Sequence, residues 1–295
     1  MSKPALTLTA LALACALPAS HAQGGWSATV STSAVFQGKA DIEDSAGSFK
    51  ADSANLRAGL STALGPSLRA GVALNAERIR YRFDDPASAP WGDVERYGIG
   101  APLSLALADG WAALLTPSVD VMREKGAASR DALVWGATAA GMKAFAADRR
   151  LGLGLALFRR FDDTVAFPLL VVDWNLGQGW SLANPLAAGP TGPAGLELRY
   201  QLTPRWEAGV GGAYRSIAFR LDESRPGRGG AVGIESGLPL FVRATYAVTP
   251  ALALDVVGGA LTYGRLEIQT AGGDKLSQRD LGTSALAAIV LRGRF

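Results

Sequence analysis

Fourteen ionisable side chains recur at one parity of alternating stretches, most of them between two apolar neighbours: Arg57, Arg69, Glu77, Asp120, Arg160, Asp173, Glu197, Arg199, Glu207, Arg215, Glu235, Arg243, Asp255 and Arg265. Leu56-Arg57-Ala58, Leu196-Glu197-Leu198 and Val242-Arg243-Ala244 are typical. Both signs are present, so the set can pair internally or present opposed charges to a solute. Acid–base catalysis by imidazole is not open to them. His21 and Cys15 are the only His and Cys, and both precede the pattern. Beyond them there is no imidazole, no thiol nucleophile and no ordinary zinc ligand set.

Other motifs fall short of chemistry. Gly152 and Gly154, Gly209 with Gly211 and Gly212, and Gly258 with Gly259 lack the G-x-G-x-x-G spacing and a following helix. Glycine in a strand instead permits curvature or keeps space open beside it. In GIESG (233–237) the serine is one place out of register for a G-x-S-x-G elbow. Asp84-Asp85 and Asp162-Asp163 could meet a divalent cation, but the ordered EF-hand spacing is missing and solvated loops account for them. The expectation is a protein with no cofactor, no metal and no catalytic residue.

The elements that must position these charges are strands. Trp26, Ala28, Val30, Thr32, Ala34 and Phe36 alternate with Ser27, Thr29, Ser31 and Ser33, the period of two that gives a strand two unlike faces. The chain is 48% hydrophobic, yet its one concentrated apolar segment is Ala5–Leu17, too short to span a bilayer as a helix. With Lys3 before it, Pro18 after it and Ser20-His21-Ala22 fitting small-x-small cleavage, residues 1–22 read as a signal peptide and 23–295 as the domain. A lipidation reading of Cys15 meets Ala12 where a lipobox has Leu. Dispersed apolar content in alternation is what a transmembrane β-barrel requires. The net charge of +3 includes no basic cluster large enough for nucleic acid.

Six tight turns rich in Gly, Pro and Asp each precede a strand opening on Leu or Trp, as in LGPSLRAGVAL (64–74), ADGWAALLTPSV (108–119) and LTPRWEAGVGG (202–212). Adding the first and last strands gives about fourteen antiparallel strands, with twelve as the alternative because Pro168, Pro185, Pro190 and Pro193 crowd 161–200. The longer links are 37–52, 84–95, 125–130, 161–164, 186–193, 222–230 and 267–282. None is expected to fold deep into the barrel. Trp26, Trp111, Trp180 and Trp206, with Phe145, Tyr200, Tyr246 and Phe295, mark one interface, and Phe36, Tyr97, Trp135 and Tyr214 the other. An Arg or Lys on the lipid side near the midplane costs about 2–4 kcal/mol, so the charged parity must face the lumen. Arg57, Asp120, Glu197, Arg199, Glu235, Arg243 and Asp255 are the pore-lining candidates.

The final segment TSALAAIVLRGRF (283–295) resembles the C-terminal strand of bacterial outer-membrane barrels, whose terminal aromatic is read by the assembly machinery. Phe295 is the corresponding residue, with Gly293 where the pattern has a second aromatic. Together with LTPRWEAGVGGAYR (202–215) and GLPLFVRATYAVTPALALDVVGGALTYG (237–264), it is similar to a family of uncharacterised, porin-like proteobacterial outer-membrane β-barrels. The resemblance implies that fold and a place in the outer membrane, among lipid and lipopolysaccharide, after insertion by the barrel assembly machinery. It supplies no ligand residues. Enzymes of this architecture rely on a catalytic His that is missing here. Two functions follow as expectations: a passive, porin-like channel for small solutes, or a structural or interaction barrel whose lumen its own ion pairs block.

Overall fold

The computed structural model describes residues 25–43, 47–85, 89–186, 189–191, 194–224 and 229–295. The expected signal peptide lies outside the described residues. Fourteen antiparallel strands close into a barrel. The first eight are β1 (Trp26–Asp41), β2 (Ser48–Ala63), β3 (Leu68–Phe83), β4 (Val94–Gly100 and Leu103–Ala106), β5 (Trp111–Glu124), β6 (Leu133–Ala146), β7 (Arg149–Arg160) and β8 (Asp163–Gly177). They are followed by β9 (Trp180–Ala183), β10 (Gly195–Gln201), β11 (Trp206–Ala213 and Arg215–Arg220), β12 (Val232–Thr249), β13 (Leu252–Gln269) and β14 (Lys275–Leu281 and Ser284–Arg294). Each strand pairs with its sequence neighbours, and β14 returns to β1, where Phe295 and Ala28 exchange two backbone hydrogen bonds of 2.8 Å.

All six expected tight turns are present at one end, and their chemistry is local. At Thr203-Pro204-Arg205 the Thr203 hydroxyl accepts the N–H groups of Arg205 and Trp206, at 3.3 and 3.1 Å. Thr249-Pro250-Ala251 repeats the device, with the Ala251 N–H bonded to the Thr249 hydroxyl at 3.2 Å. At the other end the strands run further than the sequence suggests. β1 and β2 continue to Asp41 and from Ser48, and β13 and β14 to Gln269 and from Lys275, so most of 37–52 and 267–282 is strand rather than loop.

The exterior is apolar. Leu74, Ile99, Leu155, Val210, Val242 and Val256 are exposed, and Leu153 is 73% exposed, positions that only a hydrocarbon surrounding satisfies. Among the aromatics at the tight-turn end, Trp180 meets Tyr200 at 4.6 Å and Trp206 meets Tyr246 at 4.8 Å, each pair of rings tilted by about 40°. Phe36, Tyr97, Trp135 and Tyr214 are exposed further up the wall. Trp26 and Phe36 stand ten residues apart on β1, about 25 Å along the normal for a strand tilted about 40°.

The wall has one irregular sector. β9 is four residues long, pairing with Asp173–Gly177 of β8 and Glu197–Tyr200 of β10. Asn184 extends the seam by one step, its side chain bonded to the backbone of Leu170, Val172 and Gly195. Beyond Asn184, among the described residues, no backbone pairing joins the outer ends of β8 and β11. The chain that follows turns into the lumen. Pro185, Pro190 and Thr191 are buried, and Gly189 lies so close to Val290 of β14 that a Cβ there would be 3.2 Å from the valine side chain. This corrects the expectation that no loop folds deep into the barrel. Pro185 and Pro190, which have no N–H to give a ladder, keep the segment out of the sheet, and burying it inside the barrel disposes of its apolar surface.

A candidate site in the lumen

Strand register sorts the lumen into two unlike walls. On one, Leu114, Ala140, Gly154 and Leu169 stand side by side across β5 to β8. The row nearer the tight turns is Ala112, Met142, Gly152 and Val171, and the next row outward is Thr116, Thr138, Ala156 and Phe167. These rows form an apolar lane, carrying no ionisable group, from the tight-turn mouth to the edge of β8 where the wall is unpaired.

The opposite wall carries an ion network. Arg243 on β12 donates Nε to Glu197 at 2.6 Å, Nη2 to Glu207 at 2.7 Å and Nη1 to Asp255 at 3.0 Å. Arg199 bonds the other Glu197 oxygen at 3.0 Å, and its Nη2 reaches the Asn184 carbonyl at 2.6 Å. Arg292 completes Asp255 at 2.8 Å, and the Thr245 hydroxyl bonds Asp255 and accepts from Arg243. Three guanidiniums thus face three carboxylates, and Glu197, Arg243 and Asp255 are buried. Burial of such charges is tolerable only with every group paired in this way. Glycines on β11 make the room: Gly209 lies between Arg199 and Arg243 in the register, and the Glu197 carboxylate crosses above it.

The other candidates stand apart from this network. Asp120 on β5 accepts Arg96 Nε at 2.8 Å, passing over Gly98 as Glu197 passes over Gly209. Arg57 on β2 bonds the Asn75 side chain at 3.2 Å and makes no ion pair among the described residues. Glu235 belongs to the outer end, bonded to the Tyr81 hydroxyl. Arg265 leaves the set. A bulge at Tyr263, with φ of 49° and 84% exposed, shifts the β12–β13 register and reverses the parity beyond it. Arg265 therefore faces outward and pairs with Asp280 at 2.8 Å.

The outer mouth is filled by aromatic side chains. Trp91, in the β3–β4 loop, is 1% exposed and meets Phe219 edge-on at 5.1 Å and Tyr81 at 5.8 Å. Phe49 stacks on Phe83 beside them at 5.2 Å. Two ionised groups that the sequence did not single out hold this lid. Glu124, buried at the end of β5, accepts the Gly92 N–H at 2.6 Å and the Asp222 N–H at 2.9 Å, gripping two loops at once. Arg220, at the end of β11, donates to the carbonyls of Asp131 and Gly230 and lies over the Phe161 ring at 4.8 Å. The end of β11 accordingly leans across the mouth and forms a parallel bridge to Arg123 of β5. Of the acidic loop pairs, Asp84 is taken up by Lys39 at 3.2 Å and by the Ser48 hydroxyl. The Ser48 bond, with Lys39 second, lowers the Asp84 carboxyl below its usual range.

No family model matches the chain, and no curated protein does. Among solved structures it is similar to an outer-membrane channel from Pseudomonas putida F1, with 14% identity over 95% of this chain and 97% of the other and a TM-score of 0.51. A toluene transporter from Ralstonia pickettii matches with 10% identity, over 92% of this chain and 90% of that one, at a TM-score of 0.42. The first likeness is one of fold. Taken with the lipid-facing exterior, it establishes the chain as a β-barrel of the bacterial outer membrane.

Proposed function

We propose that the barrel is a passive channel for small solutes, with no catalytic chemistry, and that it favours apolar or amphipathic ones. One observation carries this reading: the lane of Leu114, Ala140, Gly154 and Leu169 with its flanking rows runs from the tight-turn mouth to the unpaired edge of β8. A hydrated ion gains nothing along such a surface, whereas an apolar solute is better placed there than in water. The charged wall opposite is neutralised by its own pairs. A route through the unpaired sector above Asn184 also avoids the aromatic lid. In this reading lipopolysaccharide meets the outer loops, and the barrel assembly machinery inserts the chain.

The lid and the inward segment at Gly189 favour the second reading, a structural or interaction barrel with a blocked lumen. Proteoliposomes separate the two. The channel reading expects uptake of benzyl alcohol well above protein-free vesicles with little ionic conductance, and loss of that uptake in Thr138→Arg, which places a charge in the lane. Uptake equal to that of empty vesicles would leave the blocked barrel.

A further inference from the structure

At the tight-turn mouth the apolar lane ends in a cavity of about 390 Å³, bordered by Leu114, Met142, Ala112 and Ala144 and flanked by Arg69 and Arg150. The size is within the range of small-molecule sites. Its two cations differ from the tightly paired ones elsewhere in the lumen. Arg96, Arg199, Arg243 and Arg292 each have a carboxylate at 3.0 Å or closer. Arg150 is held loosely, by Asp173 and by the Ala147 carbonyl, each at 3.5 Å. Arg69 donates to the Ser61 hydroxyl at 3.3 Å and makes no ion pair among the described residues. The Arg69 guanidinium, with no carboxylate of its own, thus sits at the rim of an apolar hollow.

We propose that this cavity binds a small amphipathic anion, its apolar body on Leu114 and Met142 and its carboxylate or sulfonate at Arg69, with Arg150 as second cation. A planar guanidinium suits a two-oxygen anion, and the hollow beside it excludes water from one side of the pair. The proposal names a solute class for the channel reading. It does not need a conducting lumen, because the cavity opens at the mouth and fills from that side.

Benzoate and its neutral isostere benzamide test it, by titration calorimetry on the barrel in lipid nanodiscs. Benzoate should bind saturably and about tenfold more weakly to Arg69→Gln, the loss expected for a charged hydrogen bond, while benzamide binding stays unchanged. Met142→Trp, which fills the hollow, should abolish binding of both. Arg205→Gln, on the exposed β10–β11 turn, should leave benzoate affinity as it was. Absence of saturable benzoate binding overturns the proposal, as does equal affinity in Arg69→Gln with Arg150→Gln, or an equal loss in Arg205→Gln. Variants are compared only where the boiled and unboiled barrel migrate differently, so that a misfolded chain is not mistaken for a lost site. Benzyl alcohol uptake measured in parallel keeps the two readings apart: uptake without benzoate binding removes this site and leaves the channel, and binding without uptake does the reverse.

Discussion

The Glu197 carboxylate lies over Gly209, so closely that a Cβ at that position would stand 2.1 Å from Oε1. That oxygen is the one Arg243 holds at 2.6 Å. A missing side chain on β11 therefore allows two charges on β10 and β12 to meet across it.

Gly209→Ala should push the carboxylate off its partner and lower stability by about 1–3 kcal/mol, the cost of disturbing a buried, charge-bearing hydrogen bond. Urea unfolding in lipid vesicles, followed by tryptophan emission, measures it. Gly258→Ala is the control, since a Cβ there meets nothing within 4 Å. Equal effects in both would mean that glycine flexibility, not the Glu197 crossing, sets the loss.

Removing one member of the network should cost more than removing a pair. Arg243→Met leaves Glu197 and Asp255 with one guanidinium each and should destabilise by about 3–5 kcal/mol. Adding Glu207→Gln, which removes the carboxylate that Arg243→Met leaves without a guanidinium among the described residues, should return part of that loss. A double-mutant cycle reads the coupling, and a value near zero would show that the two side chains do not interact in the membrane.

Arg57 should control charge selectivity, because its guanidinium has a neutral amide for a partner and no ion pair among the described residues. Arg57→Glu should move the reversal potential of any residual ionic current toward cation preference without loss of folding. Arg243→Glu should also shift it, but in a destabilised barrel. If neither substitution moves the reversal potential in planar bilayers, ions do not pass these side chains.

The lid should open when its anchor is removed. Glu124→Ala frees the Gly92 and Asp222 N–H groups, leaving the Trp91 loop held by its ring contacts and by the bonds to Asp93. Single-channel conductance should rise severalfold, and Trp91→Ala should raise it by itself. Unchanged conductance in both would mean that the obstruction lies at Gly189.

Loosening Arg220 tests the same mouth from its other side. Arg220→Met keeps the packing on Phe161 but loses the bonds to Asp131 and Gly230. The β11 end should then exchange its amide protons faster than the rest of that strand, as mass spectrometry of the exchanged barrel would show. Uniform protection along β11 would mean that the ring contacts alone hold it.

The strands, the six tight turns, the exterior aromatics and the lumen parity of Arg57, Asp120, Glu197, Arg199, Arg243 and Asp255 could all be read from the chain itself. Each depends on neighbours two to four residues apart, where a period of two, a Thr-Pro turn or an aromatic at a strand end leaves its mark. Which charges meet did not follow. Glu197 and Arg243 are 46 residues apart and are brought together by strand register, which alternation alone does not specify. The reversal at Tyr263 was hidden for a similar reason, since a bulge adds one residue to one strand and leaves no compositional trace. The four-residue β9, the segment turned inward at Gly189 and the lid held by Glu124 and Arg220 were decided only by closure. Their partners are loops and strand ends from different parts of the chain, and only the finished barrel sets the distances between them.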